Sequence, residues 1–271
     1  MGLILGVDVG GSTTKIVGFT ADNRLTGVLL VKAADQVTSM YGSIGHFLRQ
    51  HKLPLKEVDK IVLTGVGASF IVEDVYDIPT AKVDEFRAIG YGGLYLAGME
   101  EAFVASMGTG TAFVRASRDE IVHIGGSGVG GGTLIGLASK LLHTEDIGVI
   151  ISLAEKGRLE HVDLFVRDIL DHDIPSLPPN LTAANFGKVN AKAADADYAY
   201  GIINMIFQTI GMLAAFATRN DEIKDVILTG NLAALPQAKV IFGDIARMYG
   251  VHFIIPDHAI YATAIGAACL N

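Results

Sequence analysis

The chain has 271 residues, of which 50% are hydrophobic and 18% are charged, and its formal net charge is −8. This composition excludes intrinsic disorder, leaves room for one large domain or two lobes, and excludes the broad basic surface that binds nucleic acid. The single cysteine, Cys269, excludes a disulfide framework and a cysteine-cluster metal site within one chain, so we expect a cytoplasmic protein.

The first predicted element is a β-hairpin. Leu3–Val9 and Thr14–Thr20 are strand-like apolar runs, and a turn at Gly10–Thr13 joins them. The start of the chain lacks a basic stretch and reaches an aspartate after a few apolar residues, which is typical of a strand and not of an export signal. A third strand is expected at Leu25–Lys32, and the spacing of apolar residues predicts a helix over Gln36–His51.

The turn of this hairpin carries groups that suit the phosphates of a nucleotide. Glycine lets backbone N–H groups approach a ligand, hydroxyls add donors, and Lys15 supplies a positive charge. Asp8 could hold Mg²⁺ or its water molecules. The alternative is an ordinary glycine turn in which Asp8 caps its own loop. The predicted phosphate-binding residues are Asp8, Gly10, Gly11, Ser12, Thr13, Thr14 and Lys15.

Two acidic residues open the next helix after a strand at Ile61–Leu63. Asp84 and Glu85 follow a strand-like segment and stand in the first turn of a predicted helix. Acidic side chains at this position stabilise a helix by complementing its dipole. The alternative is that one of them is a general base that points into a cleft.

The second half of the chain repeats the order of the first. Phe103–Ser106 and Thr111–Ala116 are predicted strands joined by a glycine turn at Met107–Gly110, and Ile121–Ile124 extends them. Taken alone, this segment would be an ordinary glycine turn. Two such hairpins in one chain predict a second phosphate loop, with Thr109, Gly110 and Thr111 as its binding residues.

A second similarity links two strand ends. Lys60–Ala68 and Asp225–Ala233 each contain a short buried-type strand that ends in Thr-Gly, although short strands ending in glycine also resemble one another by chance. With the repeated hairpins, this predicts an α/β protein with two lobes, residues 1–100 and 101–271, and a ligand cleft between them. Gly230 and Asn231, at the second strand end, are expected to contact the nucleotide.

The glycine-rich segment Gly125–Thr133 runs directly into a predicted helix at Leu134–Leu142, which favours an anion site over a flexible tether. Three prolines predict a loop over Asp171–Asn185. Tyr198–Thr218 is uncharged over about the length of a membrane span, but its polar residues favour a buried or subunit-interface helix, so no membrane partner is expected. A short helix is predicted within Asp257–Leu270.

Several of these segments together resemble the type II pantothenate kinases of bacteria. The similarity runs in order along the whole chain. The segments that carry it are Asp8–Lys15, Asp84–Phe86, Gly108–Thr111, Gly125–Gly132, Leu181–Gly187 and Ala264–Ala267.

The resemblance implies the actin/Hsp70/sugar-kinase fold, with two ribonuclease-H-like lobes, ATP between them, and a homodimer. It implies that ATP and Mg²⁺ are used to phosphorylate the hydroxyl of pantothenate, the first step towards coenzyme A. Glu85 would be the catalytic base. The residues at the start of the helix would contact the ribose and phosphates, and these are Gly131, Gly132, Thr133, Leu134 and Ile135.

One position departs from the family pattern. Where the family has an arginine that binds the carboxylate of pantothenate, this chain has His123. Arg115 or Arg118 could reach the same pocket, so we expect His123 and Arg115 to bind either pantothenate or a related small acceptor. An activator ATPase, a sugar kinase and a nucleotide-binding regulator are the alternatives. A single cysteine disfavours the activator ATPase and the sugar kinase, because their metal sites use several cysteines. Thr182 is expected to cap a helix that begins at Ala183.

Overall fold

The computed structural model describes residues 2–22, 24–33, 35–170, 172 and 178–270. Its helices are α1 (Gln36–His51), α2 (Glu85–Ala97), α3 (Gly131–Leu142), α4 (Ile147–Ala154), α5 (Asp195–Ala217), α6 (Gln237–Tyr249) and α7 (Ala262–Cys269). Its strands are β1 (Leu3–Val9), β2 (Thr13–Thr20), β3 (Leu25–Lys32), β4 (Val58–Thr64), β5 (Thr80–Lys82), β6 (Glu101–Met107), β7 (Thr111–Ser117), β8 (Ile121–Ser127), β9 (Leu164–Phe165), β10 (Thr182–Ala184), β11 (Asp225–Thr229) and β12 (His252–Ile254).

The two large sheets have the same strand order. The first runs β3-β2-β1-β4-β5, and the second, read in the same direction, runs β8-β7-β6-β11-β12. In each sheet an antiparallel meander is extended by two parallel strands. The predicted duplicated α/β architecture is therefore confirmed.

Two glycines show how closely the lobes repeat. Gly65 follows β4 with φ 88° and ψ 164°, and Gly230 follows β11 with φ 86° and ψ 178°. A Cβ on Gly65 would lie 2.7 Å from the carbonyl oxygen of Val9, and one on Gly230 would lie 2.5 Å from that of Met107. Both positions therefore require glycine, for conformation and for space. The similarity between the two Thr-Gly strand ends reflects a structural repeat.

Each lobe has its own apolar core. In the first lobe, α1 buries Met40, Ile44 and Phe47 against the sheet. In the second lobe, α5 packs against α3, α4 and α6. Among the described residues, α5 is the helix long and apolar enough to cross a membrane, and 61% of its most apolar window is buried inside the protein. This packing is that of a core helix.

Helices α2 and α7 pack against each other between the lobes. Helix α2 buries Ile89 against the second sheet, whereas α7 buries Ile265 against the first. Their backbones touch where Gly92 faces Ala262 and Gly266 faces Ala88, because a Cβ on these glycines would lie only 1.8 and 1.9 Å from the opposing carbonyl oxygens. A division at residue 100 separates the two sheets, but the last helix of the second part packs on the first lobe. This arrangement brings the N-terminus of α2 to the gap between the lobes.

One local prediction is wrong. Thr182 does not cap a helix, because Thr182–Ala184 forms strand β10, which pairs with β9. The loop predicted over Asp171–Asn185 lies outside the described residues at 171 and 173–177, and its end contains this strand.

Candidate active site

A cleft of about 530 Å³ lies between the lobes. The first lobe contributes the turn of its hairpin, the second contributes the corresponding turn, and α2 and β8 contribute side chains at one end. The predicted site residues that line it are Asp8, Gly10, Gly11, Ser12, Thr13, Lys15, Glu85, Thr109, Gly110, Thr111, His123, Gly230 and Asn231.

Asp8 and Lys15 form a buried ion pair beside this cleft. They are direct partners across the β1–β2 ladder, and Lys15 Nζ donates to Asp8 Oδ2 over 3.3 Å. The side chain of Lys15 is 9% exposed and that of Asp8 is 8% exposed. Burying either charge alone would be costly, so each depends on the other in the free protein.

Several buried polar atoms near the strand ends have no hydrogen-bond partner among the described residues. They include the hydroxyls of Thr14, Thr64 and Thr229 and the side-chain oxygen of Asn231. Thr64 lies beside Asp8 in the parallel β1–β4 ladder, and Thr229 lies beside Ser106 in the equivalent β6–β11 ladder. Buried polar groups are normally hydrogen-bonded. Of these four residues, Asn231 lines the cleft, and its side-chain oxygen is therefore available to a ligand or to water.

The start of α3 anchors the second turn. The N–H groups of Gly131 and Gly132 donate to the carbonyl oxygens of Gly108 and Thr109, each over 2.8 Å. The Thr133 hydroxyl bonds the carbonyl oxygen of Gly128 over 3.0 Å. These donors are consequently engaged within the protein, and no described residue from Gly131 to Ile135 lines the cleft. Thr14 also lies outside the lining.

Glu85 enters the cleft at the first position of α2. Asp84 is the N-cap, and its Oδ1 accepts a hydrogen bond from the N–H of Arg87 over 2.9 Å. The pKa of the half-buried Glu85 carboxyl is raised, first by burial and then by the negative charge of Asp8, with Lys15 acting in the opposite direction. Asp84 thus has a helix-capping contact, and Glu85 has the environment of a base with increased proton affinity.

His123 reaches the same end of the cleft from β8. Its ring stacks on Phe86, with centroids 3.8 Å apart and an interplanar angle of 11°. Arg115 is directed elsewhere, because its Nε donates to Asp221 Oδ2 over 2.8 Å and it does not line the cleft. Arg118 pairs with Glu100. The structure therefore brings His123 to the site and leaves the two arginines outside it.

The segment Leu181–Gly187 surrounds a buried carboxylate that the sequence reasoning missed. Asp163 is fully buried and accepts hydrogen bonds from Asn204 Nδ2 over 2.8 Å and from the N–H of Phe186 over 2.9 Å. Weaker contacts of 3.4 Å come from Asn185 and Thr182. Asn185 and Asn204 could have indicated this site, because a buried carboxylate needs hydrogen-bond donors. Both residues lie far from Asp163 in the sequence, so the signal is not local.

Comparisons with known proteins identify relatives of this chain. The model of the Fumble family matches residues 102–267. The type II pantothenate kinase of Staphylococcus aureus strain USA300 is 28% identical over 281 positions, covering 98% of this chain and 99% of that protein. The same values hold for the type II pantothenate kinase of strain COL.

Solved structures confirm the predicted two-lobed fold. The activator of 2-hydroxyisocaproyl-CoA dehydratase from Clostridium difficile, with bound ADPNP, aligns with a TM-score of 0.72 at 14% identity, over 99% of this chain and 93% of that one. The ROK hexokinase from Thermus thermophilus aligns with a TM-score of 0.59 at 14% identity, over 98% and 97%. At these identities the likeness concerns the fold alone.

Proposed function

The chain belongs to the Fumble family, and we propose that it is an ATP-dependent kinase that phosphorylates the hydroxyl of pantothenate or of a closely related small molecule. One observation carries the proposal: Glu85, with its raised pKa, shares a cleft between the lobes with two glycine turns and the Asp8–Lys15 pair. The relatives named type II pantothenate kinases support the choice of acceptor.

The two turns would hold the phosphates of ATP. Gly10 and Gly11 in the first turn, and Gly108 and Gly110 in the second, leave backbone close to the cleft without side chains in the way. Lys15 would place its positive charge next to the transferred phosphoryl group, where negative charge must be stabilised. Gly230 and Asn231 directly follow β11 and line the cleft. We propose that they bind the nucleoside part of ATP.

Asp8 fits a role in binding Mg²⁺. Its Oδ2 accepts from Lys15, while its Oδ1 faces Gly65, where an added Cβ would come within 2.6 Å. The absence of a side chain at Gly65 preserves space next to a carboxylate oxygen, the ligand type that Mg²⁺ prefers. When bound, the ion would neutralise charge on the phosphates of ATP.

Glu85 would act as the general base. Its carboxylate takes the proton from the acceptor hydroxyl while the hydroxyl oxygen forms a bond to the γ-phosphorus and the bond to the β-phosphate oxygen breaks, which leaves ADP. The raised pKa suits this step, because a base whose pKa is nearer to neutrality accepts a proton more readily. The products are the phosphorylated acceptor, ADP and a proton on Glu85.

A nucleotide-binding regulator or activator ATPase of the same fold is the second candidate, and His123 in place of an arginine favours it. Burial raises the pKa of the Cys269 thiol to about 11, which disfavours the thiolate form that ligates metals. This disfavours an activator that binds a metal cluster through cysteines. Retention of Glu85 in the cleft favours the kinase.

We also propose a homodimer formed through α5, and a cytoplasmic location. Near its C-terminal end, α5 exposes 37% of Leu213 and 58% of Phe216. These residues are one turn apart, so they present one apolar face that a second copy would cover. Light scattering should give twice the chain mass, and Phe216→Asp should give the monomer. A monomeric wild type would contradict the proposal.

A product assay tests the kinase proposal. The protein is incubated with ATP, Mg²⁺ and pantothenate, and ADP is measured with and without the acceptor. The proposal predicts ADP formation that depends on the acceptor and a product heavier by one phosphoryl group. ADP formation that is equally fast without any acceptor supports the ATPase alternative.

A further inference from the structure

The charges in the cleft limit what the acceptor can carry. The described lining residues include two carboxylates, Asp8 and Glu85, one ammonium, Lys15, and one imidazole, His123; no arginine is among them. Lys15 is bonded to Asp8, and ATP would add several negative charges beside it. A negatively charged acceptor would therefore have to find its positive partner at His123.

The nearby arginines do not supply this charge. Arg115 donates to Asp221, and Arg118 pairs with Glu100. Arg87 is exposed and lies two residues after Glu85 on α2, which places it on the opposite side of the helix from the cleft. The charged groups on the elements packed against β8, and those across the cleft, are Asp84, Glu85 and Arg87 on α2, Arg115 on β7, and Asp8 and Lys15 in the first lobe.

His123 is suited to a neutral partner. An imidazole carries no permanent charge and offers a ligand a single hydrogen bond, whereas an arginine offers two parallel bonds and a permanent charge. Its ring is stacked on Phe86, and the neighbouring Ile89 also lines the cleft. Phe86 and Ile89 thus give this part of the cleft an apolar surface, and Glu85, the residue before Phe86, lines the same cleft.

We propose that the acceptor is an alcohol whose end near His123 is an uncharged amide rather than a carboxylate. A free carboxylate there would share the cleft with Glu85 without a permanent positive charge to offset it, whereas a neutral amide can both donate a hydrogen bond to an imidazole and accept one from it. This inference rests on the proposed kinase function and narrows its substrate class to amides of pantothenate or compounds that share that chemistry.

The test compares two acceptors. We would measure kcat/KM for pantothenate and for its N-propyl amide with the wild-type protein. At about pH 8 the amide should be preferred by about 10- to 100-fold, the value of one missing charge-assisted hydrogen bond.

Two variants at one position give the matched comparison. His123→Arg should move the ratio towards pantothenate by about 10- to 100-fold. His123→Gln, which keeps a hydrogen bond and adds no positive charge, should leave the preference for the amide in place. His123 is exposed on β8, so both variants should fold, which thermal unfolding would verify.

The outcomes separate the two claims. If the wild type prefers pantothenate at about pH 8 and His123→Arg leaves the ratio unchanged, the inference is wrong and the kinase function stands. If the wild type binds ATP but phosphorylates neither compound, the proposed function fails and the inference fails with it.

Discussion

Glu85 at the start of α2 and Asp8 near the end of β1 line one cleft, and the negative charge of Asp8 adds to burial in raising the pKa of Glu85. Their proximity results from the packing of α2 against α7, which brings the start of α2 to the first lobe. The two carboxylates are suited to different tasks, because Asp8 is paired with Lys15 and Glu85 has no such ion pair with another described residue.

Replacing Glu85 tests its role as the base. Glu85→Gln should lower kcat by about 10²- to 10⁴-fold, because the amide cannot accept the proton, and should leave ATP affinity nearly unchanged. Steady-state kinetics and calorimetric ATP binding would measure the two effects. The matched control is Asp84→Asn, which keeps a side chain able to cap α2 and should retain most activity. The reverse order would assign the base to Asp84.

The pH profile provides an independent test of Glu85. A base must be deprotonated, and the pKa of Glu85 is raised, so kcat/KM should fall on acidification through a pKa above the value of about 4.3 for an exposed glutamate. Activity should thus be lost as pH decreases and be retained above this pKa. A profile of the amide acceptor avoids any effect of acceptor charge. An acid limb at or below the ordinary glutamate value would show that another group controls activity.

Lys15→Gln should weaken nucleotide binding. The glutamine amide can still donate to Asp8, so the buried carboxylate keeps a partner, but the positive charge is lost. Loss of one charge-assisted bond to phosphate, about 1.5–3 kcal/mol, corresponds to about 10- to 100-fold in Kd for a non-hydrolysable ATP analogue. Lys56→Gln, at an exposed position, is the control. Equal affinities in both variants would remove Lys15 from the phosphate site.

Asp163→Asn should destabilise the second lobe. The carboxylate accepts bonds from Asn204 and from the N–H of Phe186 on its two oxygens, and an amide would direct its NH₂ group at one of these donors. A buried donor without a partner costs about 1–3 kcal/mol, which urea unfolding would detect. Asp244→Asn, at an exposed ion pair, should cost less than about 1 kcal/mol. Equal losses would mean that the Asp163 contacts contribute little.

We expect Arg115 to have a structural role and not to bind the acceptor. Its bond to Asp221 is partly exposed, so Arg115→Met should cost at most about 1 kcal/mol and should leave the KM for either acceptor unchanged, because Arg115 does not line the cleft. Thermal unfolding and acceptor kinetics would measure this. A large increase in KM for pantothenate alone would place Arg115 at the carboxylate after all.

Much of the fold could be predicted from local patterns. Leu3–Val9 and Gln36–His51 match the observed strand and helix residue for residue, because a short apolar run and the helical spacing of apolar residues are properties of the segment itself. The glycines of the two hairpin turns also predicted that these turns would lie at the cleft. The repeated hairpins and the repeated Thr-Gly strand ends were enough to predict two lobes of similar topology.

Contacts between distant segments could not be predicted in this way. The close approach of Gly92 and Gly266 joins two helices that lie far apart in the chain. Thr182 has the local signature of a helix cap, but its segment pairs with β9 near the buried Asp163. The amides of Gly131 and Gly132 resemble a free anion site in sequence, yet the neighbouring turn accepts their hydrogen bonds. In each case a partner far along the chain decides the structure.

The most direct measurement follows the γ-phosphoryl group itself. ATP labelled in that group is mixed with the protein, Mg²⁺ and either pantothenate or its N-propyl amide, and the label is traced by chromatography. Because Glu85 faces the phosphate turns across one cleft, the account predicts that the label moves to the acceptor and that Glu85→Gln slows this transfer. Label released only as inorganic phosphate, at a rate independent of both the acceptor and Glu85, would contradict the assignment of this cleft to a kinase.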